Sequence, residues 1–365
     1  MRILVANSGS SSLKLRLVAA AEQIAAAADL PAPGDPFDVE PLGTFLRDAK
    51  GVDAIGHRVV HGGHEFTEPV LLDASGAERL GALGDLAPLH NGPALRVLDV
   101  LRRLVPDVPQ VACFDTTFHA GMPDGAALYA LPTDLVERHG LRRFGFHGIS
   151  HAWASRRAPE LLGCPPDGLR LVTCHLGVGA SLAAVRGGRS LDTTMGFTPN
   201  EGLVMATRSG TVDPGMLLWL VQDAGMAPDE LEQVLEHESG LRGLSGTSGD
   251  MREVLAAGEH DERARTALSV YLHRLRAGIA AMAASMDGID ALVFTGGVGE
   301  HSPAVRERTC ASLGFLGVRL DEALNSGPRV GDVDLAERRS AVRVLVIESR
   351  EELEIARSVR SVLGH

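Results

Sequence analysis

The chain has 365 residues, 45% hydrophobic and 22% charged, long enough for two domains with separate cores. Aromatic residues make up only 4%, so those cores rest on Leu, Val, Ile and Ala. A net charge of −12 excludes a general affinity for nucleic acid or an anionic membrane, so any anion must be caught by a local cluster of Arg, Lys and His. Cys113, Cys164, Cys174 and Cys310 form no C-x-x-C pair, and Cys113 and Cys174 sit in apolar strand-like runs that read as buried free thiols. No apolar run approaches the ~20 residues of a spanning helix. The N-terminus opens directly on a strand pattern, not a secretory signal, and a cytoplasmic location is expected.

The first element is a hairpin. Two apolar runs, Ile3 to Ala6 and Leu13 to Val18, flank NSGSSSLK (Asn7 to Lys14). Such a turn wraps a phosphate in hydroxyls and backbone N–H groups, with Lys14 adding a point charge and Asn7 an oxygen for hydrated Mg²⁺. It equally suits an ordinary Ser-rich hairpin. Ala19 to Pro41 reads as an Ala-rich strand extension and a loop. Gly51 to Gly63, GVDAIGHRVVHGG, is a β-run ending in a basic turn, where Arg58 either snorkels from a strand edge or joins an anion site with His61. A helix is expected over about Ala94 to Leu104, with His90 and Asn91 at its N-terminus ahead of Pro93. Val108 to Thr117 is a buried strand ending in Asp115, a position that suits chemistry in open α/β folds or a simple cap.

RRFGFHGISH (Arg142 to His151) holds two histidines four apart. No nearby Asp, Glu or Cys completes a metal set, which favours a Gly-hinged anion loop before a helix starting near Ser150. Leu169 to Thr194 then repeats the opening pattern, with a strand ending in HLGVGAS and a second strand after it. Two phosphate hairpins imply an internal duplication, one per lobe, with ligand held between the lobes. Arg208 lies in a small polar loop ahead of a helix opened by Asp213-Pro214. Further helices are expected over Pro228–His237, Met251–Ala257 and Arg263–Met286, with Asp250 and Arg252 meeting a nucleotide or capping the middle one. ALVFTGGVGEHS (Ala291 to Ser302) reads as strand, Gly turn and helix start, without the Walker A pattern. A last strand, Val342–Ile347, precedes a helix opened by Glu351 and Glu352, which suit the helix dipole or a metal.

Taken together and in order, NSGSSSLK, HRVVHGG, PLHN, FDTTFH, FGFHGISH, HLGVGAS, TPNEGLVMATRSG, SGDMRE, FTGGVGEHS and EELEIA resemble the acetate kinase family over nearly the whole chain. The resemblance implies an α/β fold of two duplicated ribonuclease-H-like, actin-like lobes. The expected boundaries are 1–119 plus 353–365, closed by the C-terminal helix, and 120–352, which binds nucleotide. It further implies reversible phosphoryl transfer between ATP and acetate with Mg²⁺ (or Mn²⁺), in a homodimer that engages neither nucleic acid nor membrane.

Residue by residue, the resemblance puts Asn7 and Glu351 at the metal, Ser10, Ser12 and Lys14 at phosphate, and Arg58, Asp115, His147 and Arg208 in catalysis. His175, Leu176, Gly177, Val178 and Gly179, then Asp250, Met251 and Arg252, then Gly297, Val298, Gly299, Glu300 and His301 match the nucleotide loops. Arg58, Val60, Leu89, His90, Phe146 and Pro199 match the acetate pocket. Two departures stand out. Val178 replaces the Asn of HLGNG, which bears on donor affinity or identity, and the chain is short between the first hairpin and HRVVHGG. Alternatives are a related short-chain acyl kinase, a kinase using another phosphoryl donor, and a non-catalytic actin-like nucleotide-binding module.

Overall fold

The computed structural model describes residues 1–9, 12–32, 37–49, 51–82 and 88–365, without the side chains of Ala21, Ala74, Ala82, Pro88, Leu89 and His90. The chain separates into two compact units: Met1–Ala120 with Phe146–Trp153 and Arg350–His365, and Gly121–Gly145 with Ala154–Ser349.

The first unit holds strands β1 (Ile3–Ser8), β2 (Ser12–Val18), β3 (Ile24–Pro31), β4 (Ala54–Val59), β5 (Val70–Leu71) and β6 (Gln110–Phe114). They form a six-stranded sheet in the order β3-β2-β1-β4-β6-β5. β1, β2 and β3 are an antiparallel meander, β1, β4 and β6 run parallel, and β5 closes the edge antiparallel. Period-two patterning drives this: in β2, Leu13, Leu15 and Leu17 are buried while Lys14 is exposed. Leu4, Ala6, Leu13, Leu15 and Leu17 form a core with Val97, Val100 and Leu101 of the helix Pro88–Leu104. On the other face lies the helix Glu351–Val362, packed so closely that a Cβ at Gly56 would sit 2.5 Å from Ile355 Cγ2.

The second unit holds β7 (Arg170–Leu176), β8 (Ala180–Arg186), β9 (Arg189–Thr193), β10 (Ala291–Thr295), β11 (Val333–Asp334) and β12 (Arg343–Val346). Its sheet reads β9-β8-β7-β10-β12-β11, with the same alternation of antiparallel and parallel pairs as the first. The duplication expected from two hairpins is therefore a duplication of whole sheets. The β8–β9 turn, Gly187 (φ 58°) and Gly188 (φ 75°), has the left-handed pair that a tight two-residue hairpin requires.

Several elements differ from expectation. The helix expected to begin near Ala94 begins at Pro88, so His90 and Asn91 lie within it and Pro93 is internal. Proline is tolerated in a first turn, where N–H groups lack intrahelical partners, and Pro88 is already set in φ for that position. The helix expected from Ser150 begins at Gly148, and helices at Glu40–Ala49 and Gly240–Ser245 were not anticipated. Cys113 and Cys174 are buried free thiols. Among the described residues no helix is long and apolar enough to cross a membrane.

Candidate active site

In the first unit the candidate residues gather at the C-terminal ends of the parallel strands. Register places Asn7 opposite both Lys14 on β2 and Arg58 on β4, so the three share one face in a row across the sheet. Asp115 follows β6 directly and is 1% exposed. Arg58 grips it from two sides, Nη2 to Oδ2 at 2.6 Å and Nε to Oδ1 at 3.1 Å. The third guanidinium nitrogen, Nη1, donates to Asn7 Oδ1 at 3.1 Å, and Asn7 Nδ2 donates to Glu351 Oε2 at 2.9 Å. Glu351 opens the helix that packs on this face, and its carboxylate lies 3.9 Å from Arg58 Nε. Burial opposes the charge of Arg58, but Asp115 and Glu351 outweigh it and hold the guanidinium protonated beyond its ordinary range. Burial pushes the Asp115 carboxyl up, against the pull of Arg58.

Arg58 sits between the two carboxylates of this cluster, with Lys14 in the same row. The cluster's donor atoms are carboxylate and carboxamide oxygens, the hard set that Mg²⁺ prefers. Among the described residues no group of three or more His, Cys, Asp or Glu could hold a metal. The residues fit an ion that keeps most of its water, not a protein-caged metal.

His147 is placed by strain. Its φ is 55°, left-handed and unusual for a non-glycine residue. On one side Phe146, 1% exposed, accepts a hydrogen bond on its carbonyl from His119 Nε2 at 3.2 Å and meets the His61 ring edge-on at 5.4 Å. On the other, Gly148 N donates to the Asp115 carbonyl at 2.9 Å, and a Cβ there would lie 2.1 Å from that oxygen. Gly148→Ala is expected to cost about 1–3 kcal/mol, the range for overpacking, because neither backbone can retreat without moving Asp115 or His147. Urea unfolding measures this; a change below about 0.5 kcal/mol would show that the junction is not tight.

The HGG turn after β4 is clamped by residues with no obvious sequence signal for that task. Asn91, fully buried, accepts from His61 N and donates to His61 O, both at 3.1 Å. Gly63 N donates to His61 Nδ1 at 2.8 Å, which puts the ring proton on Nε2, and Gly62 N donates to Thr116 Oγ1 at 3.1 Å. Val60, in this turn, is half-buried. Ser10 lies outside the described residues, as do the side chains of Leu89 and His90.

In the second unit the hairpin loop is closed by Gly177 N donating to Gly179 O at 2.9 Å, as Gly9 N to Ser12 O at 2.9 Å closes the first. Val178, 74% exposed, offers this loop only its backbone, whose carbonyl accepts from Ala206 N at 3.1 Å. Gly296 (φ 77°) begins the helix Gly296–His301, and a Cβ on it would lie 2.8 Å from Leu176 O. This brings the end of β7, at Leu176, against the turn that holds Gly297, Val298 and Gly299. Glu300 is engaged internally, accepting on Oε1 from Gly296 N at 3.0 Å and Ser349 N at 2.9 Å. Buried Arg306, unremarkable in sequence, donates to the carbonyls of Gly299 (2.8 Å) and Glu300 (2.7 Å); burial and the charge of Arg329 lower its pKa to about 10.

Asp250 caps the helix Met251–Ala257 by accepting from Arg252 N at 2.8 Å and pairs with the exposed Arg252 side chain at 2.5 Å. Met251 is buried. Arg208 donates to Pro199 O at 3.2 Å and makes no ion pair among the described residues. Burial lowers its pKa, against the field of Glu236. The Pro199 loop is braced by Glu201, which accepts from Tyr129 OH at 2.6 Å and Arg143 Nη2 at 2.7 Å.

The model of the Acetokinase family matches residues 41–357. An acetate kinase from Synechococcus is 51% identical over 88% of this chain and 79% of its own length. In crystal structures, an acetate kinase from Porphyromonas gingivalis superposes with a TM-score of 0.90 at 35% identity, covering 99% of each chain. A propionate kinase from Francisella tularensis superposes at 0.88 with 35% identity, covering 98% of each. With its duplicated sheets and this agreement over nearly its full length, the chain belongs to the acetokinase family.

Proposed function

We propose that the protein is an acetate kinase, moving the γ-phosphoryl group of ATP reversibly onto acetate to give acetyl phosphate and ADP. Family membership supports the reaction, and the geometric observation that carries it is Arg208. It is a half-buried guanidinium that donates to the Pro199 carbonyl and the Met205 sulfur and has no carboxylate partner among the described residues, and its remaining donors suit an oxyanion. An acetate oxygen attacks Pγ as the bond from Pγ to the ADP oxygen breaks. Acetate, a carboxylic acid like the Glu side chain with its pKa of ~4.3, is already ionised at neutral pH, so no base is needed. The task is alignment and charge neutralisation. Arg208, His147 and Lys14 would face the phosphoryl oxygens, and Asp115 would hold Arg58 in line for the carboxylate. Asn7 and Glu351 would hold Mg²⁺, which would supply further charge neutralisation when bound with the nucleotide. Propionate is expected as a secondary substrate, because one methylene in an apolar pocket discriminates by only ~1–3 kcal/mol. ATP as donor fits a cytoplasmic setting.

The test is to incubate purified protein with Mg-ATP and acetate and trap acetyl phosphate with hydroxylamine. Propionate and butyrate serve as alternative acceptors and pyrophosphate as an alternative donor. Product from ATP and acetate is expected. Folded protein that binds ATP yet forms no product with any pair would replace this reading with a nucleotide-binding module. Greater product from pyrophosphate would link the Val178 loop to a changed donor.

A homodimer is part of the proposal. The helix Pro214–Gln222 has Met216, Leu218 and Trp219 exposed, the last at 57%, an apolar face of the kind buried between subunits. Trp219→Glu is expected to yield monomers in light scattering at micromolar concentration. A dimer unaffected by it would move the interface elsewhere.

A further inference from the structure

Three arginines without a carboxylate partner among the described residues surround one cavity of the second unit. The cavity, of about 620 Å³, lies among the helices Met251–Ala257, Glu262–Ala284 and Pro303–Cys310. Leu255, Leu268 and Leu272 line it with apolar surface, and Arg265, Arg276 and Arg308 supply the charge. Arg265, Ser269, Leu272 and Arg276 recur at steps of four, three and four, which puts them on one helix face. Among the described residues none of the three arginines makes an ion pair. Glu259 also lines the cavity, but its near partner is His260 at 3.9 Å.

Helix capping accounts for little of this charge. Arg265 Nη1 donates weakly to Gly258 O at 3.4 Å, and Arg276 Nη2 donates to Arg308 O. Each guanidinium has five N–H donors, and Arg276 Nε is buried with no hydrogen-bond partner among the described residues. Like charges gathered in a chain of net charge −12, beside an apolar wall, match an anion with a hydrocarbon part.

We propose that this cavity binds a small organic anion carrying two or more negative charges, and that its occupancy tunes nucleotide affinity. The first helix around the cavity begins at Asp250–Arg252 and the third follows Gly296–His301; the cavity meets the first at its C-terminal end and the third along Ala304 and Arg308. The tuning rests on the acetate kinase reading, which makes those loops nucleotide loops; the binding does not.

The probes are phosphoenolpyruvate, an organic phosphate, and tricarballylate, a polycarboxylate, titrated calorimetrically into protein saturated with Mg-ADP at fixed ionic strength and free Mg²⁺. At least one should bind, and Arg265→Gln with Arg308→Gln should weaken it about tenfold or more, a change of ~1.4 kcal/mol. Ser269→Trp, which fills the cavity from an exposed position, should abolish it. Neither probe binding, binding unchanged in both variants, or one-for-one displacement by ADP would each overturn the site. A saturating probe should shift ADP affinity at least threefold in the parent and not in the variants; no shift overturns the tuning. Binding retained in protein that makes no acetyl phosphate would leave the site standing and remove the acetate kinase reading instead.

Discussion

Arg208→Ala is expected to lower turnover by about 10²–10³-fold, the usual loss when one preorganised donor to developing charge is removed. The loss should fall mainly on kcat, because a guanidinium aimed at the phosphoryl group in flight counts most in the transition state. Stability should hardly change, since the side chain contributes hydrogen bonds only to Pro199 O and, weakly, to Met205 Sδ, and no ion pair among the described residues. Arg208→Lys should recover only part of the rate, because an ammonium keeps the charge without the planar fork. Initial rates by hydroxamate trapping, beside a urea titration, separate the two effects. Turnover within about threefold of the parent would remove Arg208 from the reaction.

Arg58→Met should produce the largest stability loss, about 3–5 kcal/mol at pH 7, because it leaves Asp115 buried with no paired cation. The sign of the pH dependence follows from that carboxyl. Its folded pKa is already raised by burial and rises further without Arg58. Above the unfolded value of ~3.9 the folded variant then binds a proton that the unfolded chain has lost, so stability falls as pH rises through that value. The gap to the parent should therefore narrow from pH 7 to pH 5. Adding Asp115→Asn should restore part of the loss at pH 7, because a neutral amide is cheaper to bury unpaired than a carboxylate. A cost below about 1 kcal/mol with no pH dependence would mean that this pair does not anchor the strand ends.

The candidate chemistry was legible because its residues interrupt local patterns. Arg58 breaks an apolar strand, Asp115 ends one, and Asn7 and Lys14 flank a Ser-rich turn. The groups that hold them were not legible. Asn91 clamps the His61 turn from 30 residues away, although locally it reads as a helix-start residue, and Arg306 holds the Gly299 and Glu300 carbonyls, although it reads as an ordinary helical polar residue. Glu300 accepts from two backbone N–H groups, one of them 49 residues distant, a tie that no local pattern announces. The start of the helix at Pro88 was hidden because Pro93, five residues later, gives the same helix-start signal.

By itself the sequence determined what short range controls. Period-two alternation and Gly-rich turns specified the two hairpins, their repetition specified a duplicated α/β fold, and the ordered motifs specified the family. Only the tertiary structure decided which groups meet. Arg58 shares Asp115 and Glu351 because parallel register aligns β1, β4 and β6 and the last helix packs across them. Arg265, Arg276 and Arg308 share one cavity because two helices cross there. Such meetings depend on strand register and helix packing, summed over whole sheets, and no local stretch of residues encodes them.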